Sequence, residues 1–404
     1  MAKYNYDKKA LKGLGVGAFL NEVKVREEHL SQGENTIPTS IYNPNIVSNE
    51  LHPAIQFGVI KEIIEHKDAK TYIIGPNEKL GTNKLAYFRA GQYVSVVVEP
   101  GNGAFLSRPY SLCSNPKDAF KGNYEITIKK VNDGYASTYI LDNWQVGSEI
   151  TMSGPLGQFY YERLRDAKNV VALAGGSGIT PFLSMARAIV EGIEDFNLTI
   201  LYGSKTSEDI LLAKQLKECE EKANGKIKVI NVLSDEEKAG FEHGFITAEL
   251  IKKYAKDDYS IFVCGPKAMY KFLETELVKL DLPRRRIRQE LAGEYGDPTN
   301  DEKYPKDKAN KEYKLKVYFR DEVKEITCKA ESTLMRAIEE AGIKVTTDCR
   351  SGQCGWCHSR LISGDVYIPE SHDGRRAADK KFGWIHPCAT YPLSDIEIEV
   401  FPIN

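Results

Sequence analysis

The sequence predicts three folded units in series: a small antiparallel β-barrel, an α/β unit built on a parallel sheet, and a C-terminal unit that carries a cysteine cluster. Three observations point there. Between residues 55 and 165, short runs rich in Val, Ile and Tyr are separated by turn residues; from 166 to 295, strand-like runs alternate with helical ones; and beyond a polar stretch at 296–311, four of the eight cysteines crowd between residues 349 and 388. A length of 404 residues is in any case too great for one ordinary core.

Residues 1–54 are an N-terminal extension whose role the sequence does not assign. Residues 11–25 are compatible with a short helix, and residues 36–53, with three prolines and several asparagines, predict an extended, loop-rich connection. The run Gly13-Leu14-Gly15-Val16-Gly17-Ala18 formally matches the dinucleotide pattern G-x-G-x-x-A. The residues before it are polar and charged, so no buried strand delivers its glycines to a sheet edge, and it is read as an arm.

In the barrel unit, residues 92–98 and 124–131 predict strands, turns fall at 101–103 and 121–123, and a single helix is expected over 137–144. In the α/β unit, residues 170–174, 198–202 and 261–264 predict buried strands and residues 181–191 and 267–280 helices, so ligands belong at the carboxyl ends of those strands. The charged run 284–288 is read as solvated surface. Residues 296–311, with two prolines and almost no apolar side chain, predict a linker. The third unit, residues 312–404, opens with strands at 313–319 and 323–328 and a helix at 333–340 with Ser332 as its N-cap.

With 42% hydrophobic and 28% charged residues the chain has a globular composition, and a formal charge of −2 offers no field for nucleic acid or anionic lipid. The N-terminal stretch MAKYNYDKK lacks the apolar segment of a secretory signal, and no apolar run approaches the roughly 18 residues of a membrane span. Neither nucleic acid nor membrane is an expected partner, and a cytoplasmic location is expected. In that setting eight cysteines read as ligands, reactive thiols or core residues rather than as a disulfide framework.

Cys349, Cys354 and Cys357, followed at a distance by Cys388, have the spacing C-x4-C-x2-C…C of plant-type 2Fe-2S clusters. Four thiolates are needed because each tetrahedral iron takes two bridging sulfides and two protein sulfurs. Gly352, Gly355 and Ser351 between the ligands let amides turn towards sulfur. A zinc site usually presents two C-x2-C-like pairs, and only Cys354 and Cys357 form one. A Rieske centre would replace two thiolates by histidine; His358 and His386 are near, but all four thiols are present. On these residues, 312–404 resembles a plant-type ferredoxin domain, which implies a β-grasp fold and one-electron transfer.

Four further motifs come in order: Arg108-Pro109-Tyr110-Ser111, Gly134-Tyr135-Ala136-Ser137, Gly175-Gly176-Ser177-Gly178-Ile179-Thr180-Pro181, and Cys264-Gly265-Pro266 running on to Met269. An arginine can pair with a flavin phosphate, a tyrosine two residues on shares its strand face and can lie against the ring, and Ser111 can hydrogen-bond the isoalloxazine. A helix start after Gly134 favours a phosphate, and a glycine-rich turn after a buried strand can cradle a pyrophosphate. Taken singly each is weak, since Cys264 could be a buried strand-end thiol and Tyr110 a packed one. Together they resemble the ferredoxin-NADP reductase superfamily over about residues 55–295. The resemblance implies that Arg108, Tyr110 and Ser111 hold the flavin, that Gly134 and Ser137 hold its phosphate, and that Gly175, Gly176, Gly178, Thr180 and Pro181 hold the nicotinamide dinucleotide. Cys264, with Gly265 and Pro266, would lie beside the nicotinamide ring near the transferred hydride.

The second motif extends to Tyr139 as G-x-x-S-x-Y and favours FAD, with FMN possible. Lys205, where the adenosine ribose would be read, leaves NADH and NADPH both open. Tyr295 is a candidate to cover the flavin and equally a linker residue. The implied function is that of an NAD(P)H:acceptor oxidoreductase, with hydride passing to flavin and single electrons passing through the 2Fe-2S cluster to a redox partner protein, as in reductases of oxygenases and of hybrid-cluster proteins. Two alternatives are reverse flow from a low-potential donor to NAD(P)+ and a redox-sensing module. The polar segment 370–381 reads as a solvated loop or a docking site.

Overall fold

Runs dense in β-branched and aromatic residues become six strands in the barrel part of the computed structural model, which describes residues 17–32, 43–101, 103–131, 134–290 and 293–401. They are β1 Ile55–Glu65, β2 Ala69–Pro76, β3 Tyr93–Val98, β4 Leu106–Ser111, β5 Tyr124–Lys129 and β6 Glu149–Ser153. All pairings are antiparallel in the order β4-β3-β6-β1-β2-β5. An isolated bridge from Leu112 to Ile126 draws the two edge strands together, so the sheet nearly closes into a barrel. Inward residues Ile60, Tyr72, Val94, Val96, Tyr124 and Ile126 fill it, and helix Tyr135–Asn143 packs Ala136 and Ile140 against them. That helix starts two residues before the expected 137.

The α/β part contains β7 Asn169–Gly175, β8 Asn197–Ser204, β9 Ile227–Leu233, β10 Glu242–His243, β11 Tyr259–Cys264 and β12 Ile287–Gln289, all parallel in the order β10-β9-β8-β7-β11-β12. Its strands are near-continuous apolar runs because helices cover both faces. Val170, Ala172 and Ala174 enter one core, and Val171 and Leu173 the other. The chain leaves β7 towards β8 and β9, then returns to place β11 on the opposite side of β7. The crevice between the carboxyl ends of β7 and β11 is therefore the topological switch point.

The C-terminal part has a five-stranded mixed sheet of β13 Glu312–Phe319, β14 Glu322–Lys329, β15 Ser359–Ser363, β17 Trp384–Ile385 and β19 Ile396–Glu399, ordered β14-β13-β19-β15-β17, with β16 Val366–Tyr367 and β18 Tyr391–Pro392 paired separately. Helix Leu334–Glu340 lays Leu334, Met335 and Ile338 on Leu315, Val317, Ile396 and Ile398, which is the β-grasp arrangement. Its N-cap is Thr333, whose hydroxyl accepts the Arg336 amide at 3.2 Å, rather than the expected Ser332.

Three sequence expectations need correcting. Residues 43–51 are a helix, Asn43–Leu51, not an extended connection, because Pro44 falls in the first turn, where its missing N–H costs nothing. The expected helix at 11–25 is helical over its described part and runs on to Gln32, as Gly17–Gln32; residues 11–16, with Gly13 and Gly15 of the rejected glycine pattern, lie outside the described residues. The polar stretch 296–311 is a packed strap: Tyr304 is 2% exposed and meets Tyr367 edge-to-face at 5.2 Å, Pro298 is buried, and the Tyr391 hydroxyl donates to Gly296 O at 2.7 Å. Residues 1–50 separate from 51–404 as a unit of their own.

The charged run at 284–288 is also not wholly solvated. Arg288 is 9% exposed and lies over the Phe262 ring; its Nε donates to Asp166 Oδ1 at 3.0 Å and its Nη1 to Gln158 O at 3.0 Å. One guanidinium thus ties the edge strand β12 to the segment that leaves the barrel for the parallel sheet. Arg288→Ala would strand the buried Asp166 carboxylate, and a loss of about 3–5 kcal/mol is expected by chemical denaturation, against less than about 1 kcal/mol for Arg284→Ala on the exposed part of the run.

Candidate functional site

The cysteine loop follows helix Leu334–Glu340, and its backbone is shaped for sulfur. Arg350, Gly352 and Gly355 have φ of 62°, 73° and 77°. A Cβ on Gly352 would stand 2.1 Å from His372 O, so only glycine fits. Three amides point at thiols: Ser351 N and Cys354 N lie 3.5 and 3.4 Å from Cys349 Sγ, and Gly352 N lies 3.3 Å from Cys388 Sγ. Cys388 arrives on the turn Pro387–Ala389, with its sulfur 3.3 Å from Cys357 Sγ. The Cys349 thiol is held below its ordinary value by the hydrogen bond from Cys354 and by these amides, against the opposing effect of burial.

The thiols therefore stand as two pairs, Cys349 with Cys354 and Cys357 with Cys388. Among the described residues no three His, Cys, Asp or Glu side chains converge on one point as a mononuclear metal site requires. Two thiols per iron is what a 2Fe-2S cluster takes, and this donor set fits it better than it fits a single zinc ion. The buried Ser351 hydroxyl and Arg350 Nε have no hydrogen-bond partner, which suits a loop that encloses an anionic group. The two histidines are otherwise engaged: His386 Nδ1 donates to Gly352 O at 2.6 Å, and the His358 ring stacks on Trp384 at 4.3 Å.

The loop is docked on the barrel. Asp348, the residue before Cys349, is 4% exposed and accepts hydrogen bonds from Tyr93 Oη at 2.8 Å and from Ser95 Oγ. Tyr93 and Ser111 are register partners across β3 and β4. The strand carrying Arg108, Tyr110 and Ser111 and the loop carrying Cys349 are thus joined through one tyrosine. The last four residues of β4, 108–111, are all half-buried, whereas a strand with one solvated face would alternate. At the start of helix Tyr135–Asn143, Gly134 is the N-cap and no side chain caps the first turn, so its amides suit a phosphate. The Ser137 hydroxyl donates to Gly134 O at 3.2 Å.

The switch point of the parallel sheet holds the other two motifs. Gly175 ends β7 and Cys264 ends β11, paired in adjacent register. Gly178 is there because the chains touch: its Cβ would lie 2.1 Å from Cys264 O. Gly175 and Gly265 are likewise closed by Met269, with Sδ at 2.7 and 2.6 Å. Gly176, at φ 53°, has nothing within 4 Å of its Cβ position, so the open face of the turn is here, just before Thr180 and Pro181 begin helix Thr180–Val190. Three of the four glycines beside the crevice thus serve close packing, and one, Gly176, faces open space.

Two residues near the crevice carry information the motifs did not. Glu290 follows β12, and its amide donates to Val263 O at 2.9 Å; burial, then the charges of Cys349 and Asp348, lifts its carboxyl to about 8. A lone glutamate after a charged run gives no sequence signal. Tyr295 packs between Lys267, whose Nζ lies 3.4 Å over its ring, and His372 of the cluster domain, edge-on at 5.2 Å. In segment 370–381, expected to be a solvated loop, His372 and Asp379 are buried.

Comparison with known proteins agrees with this geometry. Residues 67–161 match the oxidoreductase FAD-binding domain, residues 172–275 the oxidoreductase NAD-binding domain, and residues 318–393 the 2Fe-2S iron-sulfur cluster binding domain. The chain is 27% identical over 354 residues to the glycine betaine monooxygenase reductase subunit of Chromohalobacter salexigens, covering 84% of this chain and 94% of that one. It is 26% identical over 340 residues to the ferredoxin reductase component of 3-ketosteroid-9-alpha-monooxygenase from Rhodococcus rhodochrous, covering 82% and 92%. Phthalate dioxygenase reductase superposes with a TM-score of 0.60 at 22% identity, covering 86% of this chain and 98% of that one, which supports the fold. No described helix is long and apolar enough to cross a membrane.

Gly178→Ala tests the crevice. The added methyl must push the ends of β7 and β11 apart, and a displacement on the order of 1 Å is enough to lower NAD(P)H-dependent flavin reduction by about 100-fold in stopped-flow mixing, with flavin and iron content unchanged.

Proposed function

We propose, from the premise that the chain belongs to the iron-sulfur flavoprotein reductases of the ferredoxin-NADP reductase superfamily, that its C-terminal cluster delivers single electrons from NAD(P)H to a separate oxygenase-type protein. When bound, FAD takes two electrons together from the nicotinamide and releases them one at a time to the 2Fe-2S cluster. The chain's own residues supply position and electrostatics. The open turn at Gly176 and the start of helix Thr180–Val190 hold the dinucleotide pyrophosphate, and Cys264 borders the nicotinamide at the carboxyl end of β11. Arg108 and the uncapped helix start after Gly134 hold the flavin phosphates, with Tyr110 and Ser111 against the ring. Cys349, Cys354, Cys357 and Cys388 ligate the irons, and the amides of Ser351, Gly352 and Cys354 stabilise negative charge on their sulfurs.

The observation that carries this reading is the short bridge from the flavin strand to the cluster loop, Ser111 paired with Tyr93 and Tyr93 bonded to Asp348 beside Cys349. The oxygenase class of the partner is supported by the two reductase subunits to which the chain is similar along most of its length.

Anaerobic mixing with NADH or NADPH is expected to bleach the flavin first and then produce the paramagnetic signal of a reduced 2Fe-2S cluster; flavin bleaching with a cluster that stays oxidised would sink the internal chain. Cys388→Ala should lose the iron and its visible absorbance, keep FAD and NAD(P)H-ferricyanide activity, and no longer reduce cytochrome c. Tyr93→Phe should leave flavin reduction unchanged and slow the flavin-to-cluster step.

A further inference from the structure

The arginine that the proposed function assigns to the flavin phosphate is held by another domain. Arg108 lies on β4 of the barrel, but its Nη1 donates to Glu339 Oε2 at 3.1 Å, on the helix of the cluster domain, and to Ser107 O at 2.8 Å. Both bonds leave from one nitrogen. Among the described residues neither Nε nor Nη2 has a protein acceptor, so the other edge of the guanidinium remains available to an anion.

Glu339 is fixed from all sides. Its side chain is 1% exposed; Oε1 accepts Arg350 Nη1 at 2.6 Å and the Ser107 amide at 3.3 Å, while its carbonyl accepts the Phe105 amide at 3.1 Å. Arg350 has a fully buried side chain and is shared with Glu294, so the carboxylate lies between two guanidiniums and its charge is offset before it can repel a phosphate. Helix electrostatics do not ask for it: the last turn of a helix favours cations, and a glutamate there opposes the dipole. Its partners lie instead on a barrel strand and on the cysteine loop.

We propose that Glu339 is a positioning residue for the flavin: it fixes Arg108 through Nη1 and presents the Nε–Nη2 edge to the cofactor phosphate. This rests on the assignment of Arg108 to that phosphate. Retention of the flavin then depends on a docked cluster domain, and the domain that receives the electrons completes the site of their donor.

Full-length protein stripped of flavin but retaining its cluster is titrated with FAD and with riboflavin, which has the same ring and no phosphate. Glu339→Gln is expected to weaken FAD by at least about tenfold and to leave riboflavin within about twofold, with iron content and cluster circular dichroism unchanged. Arg108→Ala should do the same, and the double variant should lose no more than the weaker single one. Unchanged FAD affinity in Glu339→Gln overturns the proposal while leaving the role of Arg108 intact; equal losses for FAD and riboflavin overturn it too, because they report structure rather than phosphate. Should Arg108→Ala keep the full preference for FAD over riboflavin, the assignment of Arg108 falls, and the proposal with it. Glu339→Asp keeps the charge at shorter reach and should fall between wild type and Glu339→Gln, which guards against a glutamine variant that fails to fold.

Discussion

Burying charge between two domains is favourable only when every charge finds its partner, and this constraint organises the molecule. Arg350 and Glu339 are almost fully withdrawn from water and Glu294 largely so. Each would cost several kcal/mol if left alone, and together with Arg108 they form one connected set spanning the barrel, the cysteine loop and the end of the α/β part. Asp348 adds a second contact to the barrel through Tyr93 and Ser95. A cluster domain shifted by a few ångströms would strand several charges at once, so the docked position is specified sharply.

The same constraint explains what the sequence disclosed. The cysteine spacing and the glycine-rich turns were legible because their function depends on neighbours within a few positions: Gly352 must be glycine for the loop to pass His372, and Gly178 for two strand ends to touch. The barrel and the parallel sheet were legible because periodicity reports burial, with Val170 to Ala174 feeding two cores in alternation. Arg288, Glu339 and Asp348 gave no such signal. Arg288 meets Asp166, Glu339 meets Arg108 and Asp348 meets Tyr93 across 122, 231 and 255 residues of chain, and nothing local separates a buried, paired charge from a solvated one. Composition misled in the same way at 296–311, where buried Tyr304 and Pro298 and the Tyr391–Gly296 hydrogen bond hold a strap that is otherwise polar.

That strap bears on how electrons move. A flexible linker would let the cluster domain search for the flavin, and each transfer would wait for an encounter at an effective concentration set by linker length. Here the strap is packed on the cluster domain by Tyr304, Pro298 and the Gly296 carbonyl, and Gly293 just before it donates its amide to Cys349 O at 3.0 Å. The strand Leu106–Ser111 and the cysteine loop are thus joined through packed and hydrogen-bonded segments and not through a free tether. Trp356, between Cys354 and Cys357, is half exposed and Cys354 is exposed, whereas Asp348 at the start of the same loop is buried against Tyr93 and Ser95 of the barrel, so one loop meets the barrel at one end and solvent at the other.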